Sequence, residues 1–420
     1  MKWQMLPFAK VAEVITGNTP SKKEPENYGY GIPWVKPHDL EAWEPITKTE
    51  ETLSEIGQKK SRLIPPGSVM VCCIGSIGKV GIAGTKLATN QQINSLIFKP
   101  EIEPKFGYYY CCHILPIFKS EARQAVVSIL NKSNFEKITI PVPTISEQRR
   151  IVQILDQADA LRRRQAEADA KAKRILPALF IRMFGDPATN PMGWEEKKLS
   201  ELDIDFRYGT SVKSDSISHG LPVLRIPNIL GGEINLDVLK YGKLSSEETN
   251  RLLLQKGDLL FVRTNGNPDY VGRCAVFDLD EPYLFASYLI RARFPIDTIE
   301  SRFIAAYLQT PSGRQGMLPF IRTTAGQSNI SVEGLKNIPI FLPDIELQRN
   351  FVNQLDNLYK LRRQRKKSKS LLNSTFQILL SRAFSGELTA KWREAHMKEL
   401  LAEMEEQAKA LNLKDNGDYQ

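Results

Sequence analysis

Cysteine is scarce in this 420-residue sequence: there are five, in the adjacent pairs Cys72-Cys73 and Cys111-Cys112 and as the single Cys274. An odd count with no CxxC spacing excludes a disulfide framework and a thiolate zinc site. Histidine is scarcer still. His38, His113, His219 and His396 form no HExxH arrangement, so a catalytic metal centre has little material. Long apolar runs are missing as well; the strongest, Val69 to Ile74, is strand-sized and falls far short of the roughly 20 residues a membrane span needs. Met1-Lys2-Trp3 opens the chain without an apolar leader segment, so a cytoplasmic protein is expected.

The loops of nucleotide chemistry are absent too. Gly75-Ser76-Ile77-Gly78-Lys79-Val80 lacks the inter-glycine spacing and the hydroxyl after lysine that a Walker phosphate loop requires. Gly29-Tyr30-Gly31 lacks the third glycine and following helix of a dinucleotide or S-adenosylmethionine loop. Amino-methylating enzymes present an Asn/Asp-Pro-Pro-aromatic loop to a flipped base, and this chain offers only Asn190-Pro191-Met192 and Asn267-Pro268-Asp269. No nuclease cluster of carboxylates and lysine stands out. Autonomous catalysis is therefore not expected.

What is present is charge in particular places. Apolar residues make up 42% and charged residues 25%, the profile of a folded chain, with length for about three ordinary domains or two large ones and a connector. The net charge is +9. Residues 146–184 carry +4 and residues 346–384 carry +7, whereas residues 1–145, 185–345 and 385–420 carry +4, −3 and −3. Positive charge on two narrow segments suits a polyanion such as DNA; a solvated helix face or a dock for an acidic protein is the plainer alternative.

Those two segments belong to a repeat. Residues 138–184 match 338–384 at a constant offset of 200 with fifteen identities in 47 positions, among them Gln148/Gln348, Arg149/Arg349, Leu155/Leu355, Arg162/Arg362 and Phe184/Phe384. Average composition would produce about three. Upstream, Trp3 answers Trp194, Gly17-Asn18-Thr19 answers Tyr208-Gly209-Thr210, Gly31-Ile32-Pro33 with Lys36 answers Gly220-Leu221-Pro222 with Arg225, and Gly81 answers Gly272. The chain is a duplication of one globular unit plus one helix.

Each helical segment follows a proline, Pro143 or Pro343, with Ser146 or Asp344 available as a cap and Glu147 or Glu346 in or near the first turn. Apolar residues recur at three and four, as in Val152, Leu155, Ala158 and Leu161, or Val352, Leu355 and Leu358. The spacing predicts helices of about 39 residues and roughly 58 Å, the first kinked or broken near 173–177 by Pro177. Two similar apolar stripes are most simply buried by antiparallel pairing, with each helix lying on its own globular part as the alternative. The globular parts show short β-rich runs (Ser68 to Ile74, Asn94 to Phe98, Leu259 to Val262, Tyr288 to Phe294) and helical stretches such as Arg302 to Leu308. The fold class is α+β: two tandem domains at 1–143 and 185–343, helical spacers at 144–184 and 344–384, and a charged helical tail at 385–420.

Polar and basic loop residues remain as candidate DNA contacts, because Arg, Asn and Gln pair bidentately with guanine or adenine edges. In the first copy they are Thr19, Ser21, Lys22, Lys36, His38, Ser76, Lys79, Gln91, Gln92, Lys132 and Asn134. In the second they are Thr210, Ser211, Lys213, Arg225, Asn228, Arg263, Asn265, Asn267, Tyr270, Arg273, Gln327, Ser328 and Asn329. Singly, such residues are more often turns than contacts. As matched sets in two divergent copies they read as recognition loops.

The layout resembles the DNA-specificity subunit of Type I restriction-modification systems over nearly the whole chain. The likeness is carried by ITIPVPTISEQR (Ile138 to Arg149), IPIFLPDIELQR (Ile338 to Arg349), GSIGKVG (Gly75 to Gly81), RTNGNPDYVG (Arg263 to Gly272) and FSGELTAKW (Phe384 to Trp392). It implies two target-recognition domains, an antiparallel coiled coil with pseudo-twofold symmetry, and no catalysis by this chain. It also implies double-stranded DNA, two modification subunits and restriction subunits as partners, with Gln148, Arg149, Gln348 and Arg349 toward those subunits. S-adenosylmethionine, ATP and magnesium would then reside in the partners, where adenine N6 is methylated and ATP hydrolysed. Ser146-Glu147-Gln148 against Glu346-Leu347-Gln348, and Pro177, are departures from strict symmetry.

Overall fold

The computed structural model describes residues 3–41, 44–122, 129–216, 220–230 and 232–411; His219 and the end of the tail from 412 on lie outside them. The chain divides into two compact units, unit 1 of residues 1–167 and 367–420 and unit 2 of residues 168–366. Both long helical segments therefore contribute to both units.

The units repeat one topology. In unit 1 a four-stranded antiparallel sheet runs in the order Ala12–Thr16, Ile93–Phe98, Val69–Cys72, Val80–Ile82. In unit 2 the order is Asp205–Tyr208, Leu289–Arg293, Leu259–Val262, Cys274–Val276. A second sheet contains one parallel pair in each: Tyr28–Val35 with Leu87–Thr89, and Leu221–Leu224 with Leu284–Phe285. A two-stranded ribbon closes each unit, Gln4–Pro7 with Thr139–Val142 and Glu195–Lys198 with Pro339–Leu342.

The central strands explain why the sequence shows runs rather than alternation. Val69–Cys72 and Leu259–Val262 are buried at every position. Val69 and Val71 enter one core while Met70 and Cys72 enter another; Leu259 and Phe261, and Leu260 and Val262, divide in the same way. A strand covered on both faces has no polar side to show.

The first of these cores also receives the helices. In unit 1 it takes Ile151, Val152 and Leu155 from Ile145–Ala172, and Phe376, Leu380 and Ala383 from Ile345–Phe384. In unit 2 it takes Leu176, Phe180 and Phe184 from Ile175–Phe184, and Phe351, Leu355 and Tyr359 from Ile345–Phe384. The two arrangements that the sequence left as alternatives are combined: the ends of each apolar stripe are buried against a globular part and against the other helix at once, while Leu161 between them stays exposed. Burial of such side chains contributes about 1.5–3 kcal/mol each.

Within each unit the helix segments run antiparallel. In unit 1 Arg162 Nε donates to Asn373 Oδ1 at 3.1 Å and its guanidinium covers the Phe376 ring at 4.2 Å, while Glu147 meets Thr389 and Arg393. In unit 2 Asp169 pairs with Arg365 at 2.8 Å, the rings of Phe180 and Phe351 lie 5.6 Å apart, and Gln354 reaches Met183 at 3.6 Å. Rising numbers on one helix meet falling numbers on the other.

One local expectation changes. The first helix starts at Ile145, so Thr144 rather than Ser146 is its cap, Thr144 Oγ1 accepting from Glu147 N at 3.3 Å. The break expected near 173–177 is present: Ile145–Ala172 ends before Ile175–Phe184 begins, and Pro177 falls in the first turn of the second piece, where a missing N–H costs nothing. The second helix, Ile345–Phe384, is continuous over 40 residues. The tail forms Ala390–Ala395 and Met397–Ala410.

Candidate nucleic-acid interface

In unit 2 three sequence-nominated segments meet. Arg263 leaves the central strand, its N–H donating to Tyr288 O at 2.9 Å and its carbonyl accepting from Ile330 N at 2.9 Å. Thr264–Asn265 then pairs with Gln327–Asn329, which pairs in turn with Arg322–Thr324, giving a three-stranded polar ribbon. Gly266, Asn267, Gln327 and Arg322 are exposed along it. The Arg263 guanidinium stacks over Tyr208 at 4.8 Å and donates to Ser287 O at 3.3 Å. Arg273 stacks on the exposed Tyr270 at 3.8 Å. Ser211 and Lys213 are exposed nearby in sequence to Thr210.

The asparagines of this loop are oriented by it. Asn265 Oδ1 accepts from Asn267 N, and Asn267 Oδ1 accepts from Asp269 N, each at 2.9 Å. A bidentate contact to adenine needs the amide oxygen and nitrogen together; each oxygen keeps a second lone pair beside the Nδ2 donor.

Unit 1 builds the same scaffold with other side chains. Cys73 N donates to Gln92 O at 2.7 Å and Cys73 O accepts from Leu130 N at 2.9 Å, as Arg263 does with Tyr288 and Ile330. Cys73 is thus the twin of Arg263, and Gln92 of Tyr288. Gln92 Nε2 donates to Ile74 O at 3.3 Å, and Thr19 Oγ1 bonds Gln91 Oε1. Ser76, Gln91, Thr19 and Asn134 are exposed around this point, as are Ser21, Lys22 and Lys132. Lys132 lies 3.5 Å from Glu136. Lys79 is half-buried. His38 sits 3.3 Å from Asp39 and 3.6 Å from Glu50; Lys36 pairs with Glu51 and lies over the Trp34 ring at 5.1 Å, so it offers less net positive charge than the sequence suggests.

The repeat register also shifts by one residue. A Cβ on Gly17 would lie 2.3 Å from the carbonyls of Thr89 and Asn90, and one on Gly209 would lie 2.2 Å and 2.4 Å from those of Phe285 and Ala286. Gly17 therefore answers Gly209, and Thr19 answers Ser211, not Thr210.

Several nominated residues are interior. Asn228 is buried, its Oδ1 accepting from Arg225 N and its Nδ2 donating to Asn235 O and Val238 O; half-buried Arg225 begins the turn that it ties. Thr210 is buried with Oγ1 bonded to Val212 N, and Ser328 is buried against Thr323 Oγ1. These three hold loops in place. Gln148 and Gln348, expected toward partner subunits, are buried as well. Gln148 Oε1 accepts from Glu103 N at 2.8 Å and its Nε2 donates to Glu101 O and Pro143 O, both at 2.8 Å. Gln348 does the same with Glu300 N at 3.0 Å, Thr298 O at 3.5 Å and Pro343 O at 2.8 Å. The motif pins each long helix to its globular part. Arg149 and Arg349 are exposed, 3.8 Å from Glu103 and 3.6 Å from Glu300.

Apart from Tyr270, sequence reasoning passed over the aromatic residues of these surfaces. Tyr208 and Tyr288 are exposed beside Arg263, and Tyr30 is fully exposed between two glycines; a lone aromatic set among turn residues was the available signal. The cysteines do not add reactivity: burial pushes the thiols of Cys73, Cys112 and Cys274 up to about 12, so they remain protonated and act as small apolar groups. No helix among the described residues is long and apolar enough to cross a membrane.

The family model described as Type I restriction modification DNA specificity domain matches residues 1–169 and 191–372. The chain is 27% identical over 422 residues to the Type I restriction enzyme EcoKI specificity subunit of Escherichia coli (strain K12), covering 93% of this chain and 90% of that protein. It is 26% identical over 335 residues to the MjaIX specificity subunit of Methanocaldococcus jannaschii, covering 69% and 76%. Two solved structures share the fold. A chain from a study of complex assembly and conformational transition in the type I R-M system aligns with TM-score 0.56 at 19% identity, covering 92% of this chain and 98% of that one. The Type-I restriction-modification system S subunit from M. genitalium aligns with TM-score 0.53 at 16% identity, covering 91% and 96%.

Proposed function

The chain belongs to the Type I restriction modification DNA specificity family, and from that premise we propose that each unit reads one half of a bipartite, asymmetric DNA target while the long helices set the spacing and dock two modification subunits. It is the DNA-specificity subunit of a type I restriction-modification complex, and its role there is recognition, not catalysis. One observation carries the two-reader proposal. The same backbone turn, bonded in the same way, carries half-buried Gln92 beside a buried Cys73 in unit 1, and half-buried Arg263 beside the exposed Tyr288 in unit 2. A shared scaffold with unlike side chains suits two half-sites of unlike sequence.

The second helix, 40 residues long, extends about 60 Å, comparable to about 17 base pairs of duplex. Leu161 on the first helix and Leu361, Leu371 and Ile378 on the second are exposed, and such apolar side chains on a helix suit docking of partner helices. S-adenosylmethionine, ATP and magnesium would be held by the modification and restriction subunits, and the complex would work in the cytoplasm.

The test is binding of the assembled complex to DNA libraries randomised in one half-site at a time. Arg263→Ala should relax selection in one half only, by about 1–3 kcal/mol at the base concerned. Equal weakening on every sequence would assign Arg263 to phosphate. Sequence-indifferent binding by wild type would favour a protein scaffold, and methylation or cleavage by this chain alone would make it an enzyme.

A further inference from the structure

Among the described residues, unit 1 carries a helix for which unit 2 has no counterpart. Met397–Ala410 lies along the start of the first long helix. Glu403 Oε1 accepts from Ser146 N at 3.1 Å and from Ser146 Oγ at 3.0 Å, and Gln407 Nε2 donates to the carbonyls of Glu101 and Pro143, each at 3.2 Å. Both carbonyls already accept from Gln148, so the tail takes their second lone pairs. The helix is anchored by Arg393, whose Nε lies 2.8 Å from the buried carboxylate of Glu147, which also accepts from Thr389 Oγ1 at 2.6 Å and Trp3 Nε1 at 3.1 Å.

Unit 2 builds the same junction, with Pro343 buried and Thr298 and Glu346 exposed around it. Gln348 holds the carbonyls of Thr298 and Pro343 as Gln148 holds those of Glu101 and Pro143. Thr298 is exposed, Ile296 beside it is 74% exposed, and the Glu346 side chain is 80% exposed. The chain's own tail is unsuited to this copy. Leu347 stands where Glu147 receives Arg393, and Glu346 stands where Ser146 meets Glu403, so a carboxylate would face a carboxylate. Asp297 and Asp344 add exposed negative charge, which also disfavours DNA phosphates. Glu346 Oε1 lies 2.8 Å from Arg349 in its own turn, and the Glu346 side chain stays exposed beside it.

We propose that the Ile296, Thr298, Pro343 and Glu346 junction of unit 2 docks an amphipathic helix of the modification subunit. That helix presents Lys or Arg to Glu346 and, a turn further on, an Asn or Gln amide to the two carbonyls, in the manner that Glu403 and Gln407 serve unit 1. The site is available once per chain, because unit 1 fills its own copy. The proposal rests on the reading of this chain as a specificity subunit that docks modification subunits.

The experiment uses the full chain with Ile296 replaced by photoreactive benzoylphenylalanine, assembled with the modification and restriction subunits of its own system. Irradiation should join position 296 to a basic helix of the modification subunit. Glu346→Lys should weaken modification-subunit binding about tenfold, whereas Glu403→Lys on the tail should leave it unchanged. Ile296→Ser, a milder change, should weaken it in the same direction if the charge reversal misfolds. Capture of the restriction subunit or a second copy of this chain, or no capture with unchanged affinity in both variants, overturns the proposal. Failure of the modification subunit to bind wild type overturns the underlying reading as well.

Discussion

Gln148 makes three hydrogen bonds at 2.8 Å from a buried position, one of them to the amide that opens the helix Pro104–His113. Gln148→Ala leaves that amide and an interior void without a partner, which costs about 2–3 kcal/mol. Denaturant midpoints should fall to a similar degree for Gln148→Ala and Gln348→Ala, with unchanged half-site selection in the assembled complex; native stability with failed subunit assembly would return these residues to a partner interface. The sequence displayed the glutamines through their 200-residue repeat, but a repeat does not say whether a polar side chain faces inward. Asn228, Thr210 and Ser328 are buried polar residues of the same kind. His113 is a second residue whose burial matters: its ring stacks on Phe384 at 5.2 Å, and burial lowers its pKa below the ordinary 6.5. In the window between the lowered and the ordinary value, the folded chain binds this proton less than the unfolded chain does. Its contribution is complete above the unfolded value and is lost as pH falls from there toward the lowered folded value. Wild type should lose stability between about pH 7 and pH 5 more steeply than His113→Phe, and parallel profiles would contradict this.

At the scale of elements, the strands and helices were legible because their periodicities are set by burial. The all-buried Val69–Cys72 and Leu259–Val262 appear as unbroken apolar runs, and the helices as stripes at three and four. The polar ribbon of Thr264–Asn265, Gln327–Asn329 and Arg322–Thr324 was not legible as a ribbon, since its strands are two or three residues long and have no apolar face to mark them. Charge on the helices was legible in amount and not in direction. Arg363 lies 3.8 Å from Glu233, Lys366 3.6 Å from Asp237, and Arg365 2.8 Å from Asp169, all within unit 2. These acidic partners account for much of the charge that the sequence alone would direct to phosphates. Arg365→Ala should lower the unfolding free energy read from denaturant titration by about 0.5–1 kcal/mol, since its pair is only partly exposed, and should leave the salt dependence of DNA binding unaltered. A slope reduced by about one ion would place Arg365 on the DNA instead.

For the whole molecule, duplication is the feature from which the rest proceeds: one topology occurs twice, with a core in each unit fed by both helices. The chain's two halves keep the helix and the pinning glutamine and diverge in the loops, which is the pattern expected when spacing is common to both readers and sequence preference is private to each. The most direct test is a genome-wide map of methylated adenines in the host, compared between wild type and a variant with four residues inserted after both Glu167 and Lys366, at the boundaries of the two units. Four helical residues add about 6 Å, or about two base pairs of duplex. The account predicts a bipartite, asymmetric motif in wild type and the same two half-sites in the variant, about two base pairs further apart. A single continuous motif, or an altered half-site sequence with an unchanged spacer, would contradict it.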